Sequence, residues 1–197
     1  MKKVITYTVV VLIVLQVITV LASWLVTAMM PELSWHSMLS SEGIRWFFGQ
    51  FVRLQLSPLL LWLTIGSMAY GAVTDCGITR LRRPLSYSDR LALRWALITA
   101  LTGVIVMILL VALPHALLLS VTGDLFPSAF SRSLIPFLCL QTIISALTFG
   151  VLSGRLPDVY SCIAAVTHGM AKAAPLFLIE VLGMELYRSI EFILKSV

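Results

Sequence analysis

Charged residues are scarce in this sequence. Asp, Glu, Lys and Arg make up 12% of its 197 residues, whereas 59% are hydrophobic, and the mean hydropathy is +1.00. A soluble domain of this length has no core large enough to bury so much apolar surface. The composition therefore excludes an ordinary soluble fold. It predicts an all-α integral membrane protein, with the lipid bilayer as its first partner.

Cysteine is also rare. The chain contains Cys76, Cys139 and Cys162, an odd number without a CxxC spacing. Neither a disulfide framework nor a zinc site is indicated by this pattern. We interpret the three cysteines as small apolar side chains and expect no bound metal or other cofactor.

Motifs of soluble enzymes are missing as well. The sequence has no GxSxG, HExxH or glycine-rich phosphate loop, and whole apolar runs separate its three histidines. One catalytic alternative stays open, an intramembrane enzyme that acts through Asp75, Asp158 or the pair Glu180 and Glu185, because acids kept at membrane depth are functional candidates. We expect the protein not to be an enzyme.

Basic residues give the chain a formal net charge of +5 at pH 7. Within the segment Thr79 to Arg94, five of them follow one apolar run: Arg80, Arg82, Arg83, Arg90 and Arg94. Arginines beside apolar spans are the positive-inside pattern of membrane proteins, not a nucleic-acid-binding face. We therefore predict a cytoplasmic loop here and no nucleic-acid partner. A site for anionic lipid head groups is the other use of these arginines.

Several apolar runs have about the length needed to cross a bilayer. The predicted spans are residues 4–30, 58–74, 95–119, 133–153 and 173–194. They predict one membrane domain over residues 1–197 with about five transmembrane helices. Lys2 and Lys3 place the amino end in the cytoplasm. The alternative is a signal peptide cleaved near Ser23, but the first run is longer than the apolar region of such peptides.

The segment 42–55 is amphipathic. Apolar residues fall at helical spacing on one face: Ile44, Phe47, Phe48, Phe51 and Val52. Charged and amide residues avoid that face: Glu42, Arg45, Gln50 and Arg53. We predict a helix that lies in the membrane interface, with Ser41 as its N-cap, and that leads into the second span at Pro58.

Prolines and small residues mark further features of the spans. We predict a kink at Pro114, beside His115, and place Pro136 in the first turn of the fourth span, where a missing amide costs little. Small residues recur every four positions in two spans and predict close helix contacts, within this chain or between chains: Ser67 and Gly71, and then Ala146, Gly150 and Gly154.

The C-terminal segment combines apolar residues with charge. A moderately apolar stretch from Val159 to Met170 is interrupted by Lys172 and Pro175, and the last span then carries charged residues: Glu180, Glu185, Arg188 and Glu191. A charge at mid-bilayer costs about 2.5–3.5 kcal/mol on insertion scales. We expect Glu185 to pair with Arg188 and Glu191 with Lys195. The last helix either turns this stripe toward helices or water, or lies along the membrane surface.

Four stretches in order carry a resemblance to a known family. They are SSEGIRWFF with YGAVTDCGIT, LSYSDRLALRWALITAL, GDLFPSAFSRSLIPFL, and TFGVLSGRLPDVYSCIAAVTHGM. They resemble segments of the p-aminobenzoyl-glutamate transporter (AbgT) family of secondary transporters. The resemblance implies a short helix followed by a fifth span at the C-terminus, and a multi-pass protein of the bacterial inner membrane.

The four stretches match the family's scaffold, and no stretch matches its substrate-binding hairpins. Family members are more than twice as long as this sequence. No family substrate residue can therefore be placed on this chain, although Asp75 and Asp158 match acidic positions of the scaffold. Two functions follow. The first is an ion- or proton-coupled transporter of p-aminobenzoyl-glutamate or a related anionic solute, acting as a homo-oligomer or with a second membrane subunit. The second is a non-transporting membrane scaffold or oligomerisation subunit derived from that family. We predict that coupling or solute contact runs through a polar site made of Glu180 and Glu185, with Arg188 as the counter-charge.

Overall fold

The fold is entirely helical in the residues that the computed structural model describes. These residues are 2–30, 35–55, 57–80, 85–112 and 129–194. They form six α-helices, which are α1 (Lys2–Met29), α2 (Ser41–Gln55), α3 (Pro58–Asp75), α4 (Tyr87–Ala112), α5 (Ala129–Leu152) and α6 (Val159–Leu194). A 3-10 turn at Ile78–Arg80 follows α3.

Long apolar helices dominate the described part of the chain. Four segments are long and apolar enough to cross a membrane: Lys3–Met29, Tyr87–Leu110, Arg132–Leu152 and Val159–Leu194. The prediction of an all-α, multi-pass membrane protein is thereby confirmed. The predicted second span also forms a helix, α3, but within the described residues α3 is not among these four. That α3 crosses the membrane stays a prediction.

The third predicted span begins earlier than we expected. Helix α4 starts at Tyr87 instead of near Trp95, so Arg90 and Arg94 belong to a helix and the predicted loop over 79–94 is wrong in that part. Ser86 precedes the helix and its carbonyl accepts the amide of Arg90 at 3.0 Å. Asp89 lies in the first turn, where the helix dipole favours an acid. The predicted kink at Pro114 lies outside the described residues.

Prolines do not end helices where the sequence suggested. Helix α5 begins at Ala129, so Pro136 lies inside it and not in its first turn. Helix α6 is one helix of 36 residues that includes Pro175, so the predicted division into a short helix and a separate span is wrong. Unpaired backbone groups are costly in an apolar environment, and membrane helices therefore continue through prolines. At 1.5 Å per residue α6 is about 54 Å long.

The amphipathic helix α2 forms as a helix over the predicted segment, with a different N-cap. The hydroxyl of Ser40, not that of Ser41, accepts the amide of Gly43 at 3.0 Å. Gly43 is needed there because a Cβ atom would lie 2.6 Å from the carbonyl oxygen of Met38. Phe48 on the predicted apolar face is 77% exposed. An exposed aromatic ring on this face is what contact with lipid requires.

The chain divides into two compact units, whose boundaries fall inside α3 and α6. The first unit comprises Met1–Leu61 with Ala174–Val197. In it, the buried hydroxyl of Ser23 donates to the carbonyl of Val20 and accepts the amide of Met38 at 3.1 Å. The rings of Trp46 and Phe192 stack with their centroids 4.4 Å apart. These contacts join α1 to the segment before α2, and α2 to the C-terminal part of α6.

The second unit, Trp62–Ala173, has a core made mostly of small side chains. The buried cluster consists of Ala72, Cys76, Ala92, Ala96, Ala146, Phe149, Leu156 and Ala165. Four alanine-bearing helices can approach closely around this cluster, since alanine adds only a methyl group to the backbone. The N-terminal part of α6 packs there against α3.

Candidate functional site

Glu180 is held at the start of α3. Ser57 precedes that helix, and its hydroxyl oxygen accepts the amide of Leu60 at 3.1 Å, as an N-cap does. The same hydroxyl donates to Oε1 of Glu180 at 2.5 Å. The carboxylate therefore lies where the positive end of the helix dipole favours a negative charge.

The second oxygen of this carboxylate has no partner among the residues that the structure describes. Among the described residues nothing forms a hydrogen bond with the buried Oε2 atom of Glu180. Gln55 contacts the same part of α6. Its Nε2 atom donates to the carbonyl of Val181, the residue after Glu180, at 3.4 Å. Its own Oε1 atom is also buried and unpaired within the described chain. Gln55, Ser57 and Glu180 thus form one polar cluster with two unused acceptor oxygens.

Glu185 lies in a second polar cluster, beside the midpoint of α1. The Nε2 atom of Gln16 donates to the hydroxyl of Ser189 at 3.0 Å and lies 3.5 Å from Oε1 of Glu185. Ser189 is 1% exposed, and the Oε1 atom of Gln16 is buried without a partner in the described residues. Gln16 was visible in the sequence only as an interruption of the first apolar run. Its 173-residue separation from Ser189 left no pattern that predicts the contact.

Arg188 pairs elsewhere than predicted. Its Nη1 atom lies 2.6 Å from Oε2 of Glu191, one turn further along α6. No ion pair joins Arg188 to Glu185 in the described part of the chain, so that expected pair is wrong. The expected pair of Glu191 with Lys195 lies outside the described residues. The counter-charge for Glu185 is therefore replaced by the amide of Gln16.

Asp75 is not a simple solvated helix end. Its Oδ2 atom lies 2.6 Å from Nδ1 of His168, and the two side chains are 25% and 50% exposed. The sequence did not indicate His168, which lies 93 residues away. The pair connects the end of α3 with the N-terminal part of α6.

Asp158 lies at the start of a helix and makes local contacts there. It directly precedes α6 and is exposed. Its amide donates to the hydroxyl of Ser161 at 3.2 Å, and that hydroxyl donates back to the carbonyl of Asp158 at 2.6 Å. This arrangement starts a helix and gives no indication of a ligand.

Arg155 is a residue that sequence reasoning missed. Its guanidinium donates to the carbonyl of Gly77 at 2.8 Å and pairs with Asp89 at 3.0 Å. It also lies over the ring of Phe149, 5.2 Å from the centroid. Gly77 has a φ of 77°, a conformation that favours glycine. Arg155 thus ties α5 to the end of α3 and to the first turn of α4.

The predicted small-residue positions make contacts of different kinds. A Cβ atom on Gly71 would lie 2.6 Å from the backbone nitrogen of Gly169, and one on Gly169 would collide with the carbonyl oxygen of Ser67. Gly150 and the buried Ala146 face the core, where a Cβ on Gly150 would meet the side chain of Leu156. Gly154 lies beyond α5 with a φ of 74° and open space around it. Among these positions, backbone meets backbone where Ser67 and Gly71 of α3 contact Gly169 of α6.

No grouping in the described residues brings three or more His, Cys, Asp or Glu side chains into metal-binding range. No family model, no curated protein and no solved structure matches the chain. The likeness to p-aminobenzoyl-glutamate transporters accordingly rests on the four sequence stretches alone.

Proposed function

We propose that the chain is a secondary transport protein of the p-aminobenzoyl-glutamate transporter type, which moves an anionic solute with proton or ion coupling. The observation that carries the proposal is the cluster of Gln16, Glu185 and Ser189 near the midpoint of an apolar helix. Polar and acidic side chains are rare at such depth and mark solute or ion pathways. The proposed solute class comes from the resemblance of the four sequence stretches.

The two clusters have a chemistry suited to coupling. Oε2 of Glu180 and the Oε1 atoms of Gln16 and Gln55 are buried acceptors without partners among the described residues. Each such atom costs roughly 1–3 kcal/mol. A proton or a cation would satisfy the carboxylate oxygen, and a cation or a solute donor would satisfy the two amide oxygens. We assign the coupling role to Glu180 and Glu185. Arg188 pairs with Glu191, and its buried Nε atom, which has no partner within the described residues, can donate to an anionic group.

The transporter acts with further protein, either more copies of this chain or a second membrane subunit. In the resembling family the substrate is held by hairpins that the four sequence stretches do not cover. The described spans are also poorly covered, with 6–17% of the residues of each apolar window buried. Such surface is available to lipid and to other helices. We place the assembly in the bacterial inner membrane with the amino end in the cytoplasm.

Cysteine labelling tests this orientation. A single cysteine at Ser86, after replacement of Cys76, Cys139 and Cys162, is expected to react only from the cytoplasmic side, and one at Ser128 only from outside. Labelling of both positions from the same side contradicts the orientation, and equal labelling at Ser86 from outside does so as well.

Reconstitution tests the transport function. Proteoliposomes that contain the assembly purified through this chain are expected to accumulate labelled p-aminobenzoyl-glutamate under a proton or sodium gradient. Liposomes with the isolated chain are expected to accumulate little. Absence of uptake by an intact assembly under both gradients contradicts the proposal.

A scaffold without transport activity is the second candidate. The observation that favours it is the backbone contact of Gly71 with Gly169 and the core of small residues around it. Small residues at helix contacts allow the close helix packing that a structural subunit needs. An assembly that is lost on removal of this chain, while a partner subunit still transports, would identify the scaffold.

A further inference from the structure

Two apolar hollows lie along α4 and α5 in the second unit. The first has a volume of about 500 Å³ and the second about 320 Å³. Helix α4 lines the first with Leu93, Leu97 and Ala100 and the second with Val104 and Ile108. The proposed transport site uses neither hollow.

The lining residues of α4 form one continuous stripe. They follow one another at intervals of four, three, four and four positions, which places them on a single helix face. From Leu93 to Ile108 this face is about 22 Å long, at 1.5 Å per residue. One leaflet of a bilayer has a hydrocarbon depth of about 15 Å, half of the whole core. The face is therefore long enough for one complete acyl chain.

Positive charge lies at one end of the stripe. Arg94 directly follows Leu93, and Arg90 lies one turn earlier on α4. Both are exposed, and neither forms an ion pair with a described residue. The acid in that turn, Asp89, is already paired with Arg155. An apolar face that ends at two unpaired guanidinium groups is complementary to an anionic amphiphile.

We propose that this face of α4 and α5 is a binding site for an anionic phospholipid. The acyl chain lies along the stripe from Leu93 to Ile108, and the phosphate accepts hydrogen bonds from Arg90 and Arg94. If the arginines served only to orient the protein in the membrane, the charges would be sufficient and the apolar hollows would not be needed. The combination of both on one helix is what distinguishes a binding site.

Lipid binding to the purified protein tests the proposal without any transport measurement. Native mass spectrometry in detergent is expected to show preferential retention of phosphatidylglycerol over phosphatidylcholine. Arg90→Gln and Arg94→Gln are each expected to weaken phosphatidylglycerol binding about fivefold, the factor that corresponds to about 1 kcal/mol per basic residue. The double variant is expected to lose roughly thirtyfold.

Matched controls separate a site from general charge attraction. Arg132→Gln removes one exposed arginine of α5 outside the hollows and is expected to leave binding unchanged. Ala100→Phe fills the first hollow and is expected to weaken binding of both lipids, whereas Ile105→Phe, exposed on another face of α4, is not. Equal retention of the two lipids by the unmodified protein overturns the proposal. An equal loss in Arg132→Gln and the Arg90 and Arg94 variants also overturns it.

Discussion

Nδ1 of His168 lies 2.6 Å from Oδ2 of Asp75, and this pair joins the last residue of α3 to α6. One turn before Asp75, the backbone of Gly71 meets the backbone of Gly169, the residue next to His168. The polar pair and the glycine contact therefore lie at the same crossing of the two helices. The glycines set the distance at which the histidine can reach the aspartate.

The first prediction concerns this pair. His168→Ala and Asp75→Asn are each expected to lower the free energy of unfolding by about 0.5–1 kcal/mol, a small value because His168 is half exposed. The double variant should cost no more than the larger single change, since both remove one interaction. Thermal denaturation in detergent gives these values. Asp158→Asn, which alters an exposed carboxylate, is the control and should be neutral; full additivity of the two changes contradicts the contact.

A second prediction concerns the glycine contact. Gly169→Ala puts a methyl group against the carbonyl oxygen of Ser67 and the backbone of Gly71, and is expected to destabilise the fold by about 1–3 kcal/mol. Gly183→Ala on the same helix meets no atom of the described chain within 4 Å and is expected to be neutral or stabilising by about 0.5–1 kcal/mol. Melting temperatures in detergent compare the two. Equal melting temperatures would show that the helices do not approach this closely.

A third prediction concerns Arg155. Its guanidinium donates a hydrogen bond to Gly77, pairs with Asp89 and lies over the ring of Phe149. Because all three interactions are lost together, Arg155→Met is expected to lower the free energy of unfolding by about 1–3 kcal/mol. Arg155→Lys should recover little, since an ammonium group lacks the planar fork that reaches two acceptors. Arg132→Met provides the control for loss of charge. Full rescue by lysine would reduce the role of Arg155 to its charge.

The fourth prediction concerns the reactivity of Cys76. Burial raises the pKa of its thiol above the usual value, so the reactive thiolate is less populated at any given pH. N-ethylmaleimide at pH 7 is expected to modify the partly exposed Cys162 well before Cys76. Denaturation in sodium dodecyl sulfate should make all three cysteines reactive. Mass spectrometry of peptides identifies which cysteines are modified. Early modification of Cys76 in the folded protein counts against its burial in the core.

Helix positions were predictable where one strong pattern decided them. The long apolar run of α1 and the amphipathic spacing of α2 predicted both helices to within a few residues. The start of α4 was misplaced because its arginines were assigned to a loop, although Ser86 and Asp89 are a helix-start pattern. Helix α6 was divided because Lys172 and Pro175 look like breakers in a sequence, whereas a helix in an apolar environment keeps its backbone hydrogen bonds.

The site was predictable only in part. The cost of burying an acid pointed to Glu180 and Glu185 from the sequence alone. Their partners, Ser57 and Gln16, lie more than a hundred residues away in the chain and are common residue types. No local spacing predicts such contacts. His168 and Arg155 were missed for the same reason.

The most direct test of the account is the uptake of labelled p-aminobenzoyl-glutamate by proteoliposomes of the intact assembly, compared among three isosteric variants. Glu180→Gln and Glu185→Gln are expected to reduce gradient-driven uptake at least tenfold, because each removes a half-buried ionisable group on an apolar helix. Glu191→Gln removes an acid that is 44% exposed on the same helix and should keep most of the uptake. Assembly must be unchanged in all three by size-exclusion chromatography. Undiminished uptake in both the Glu180→Gln and the Glu185→Gln variants would contradict the account.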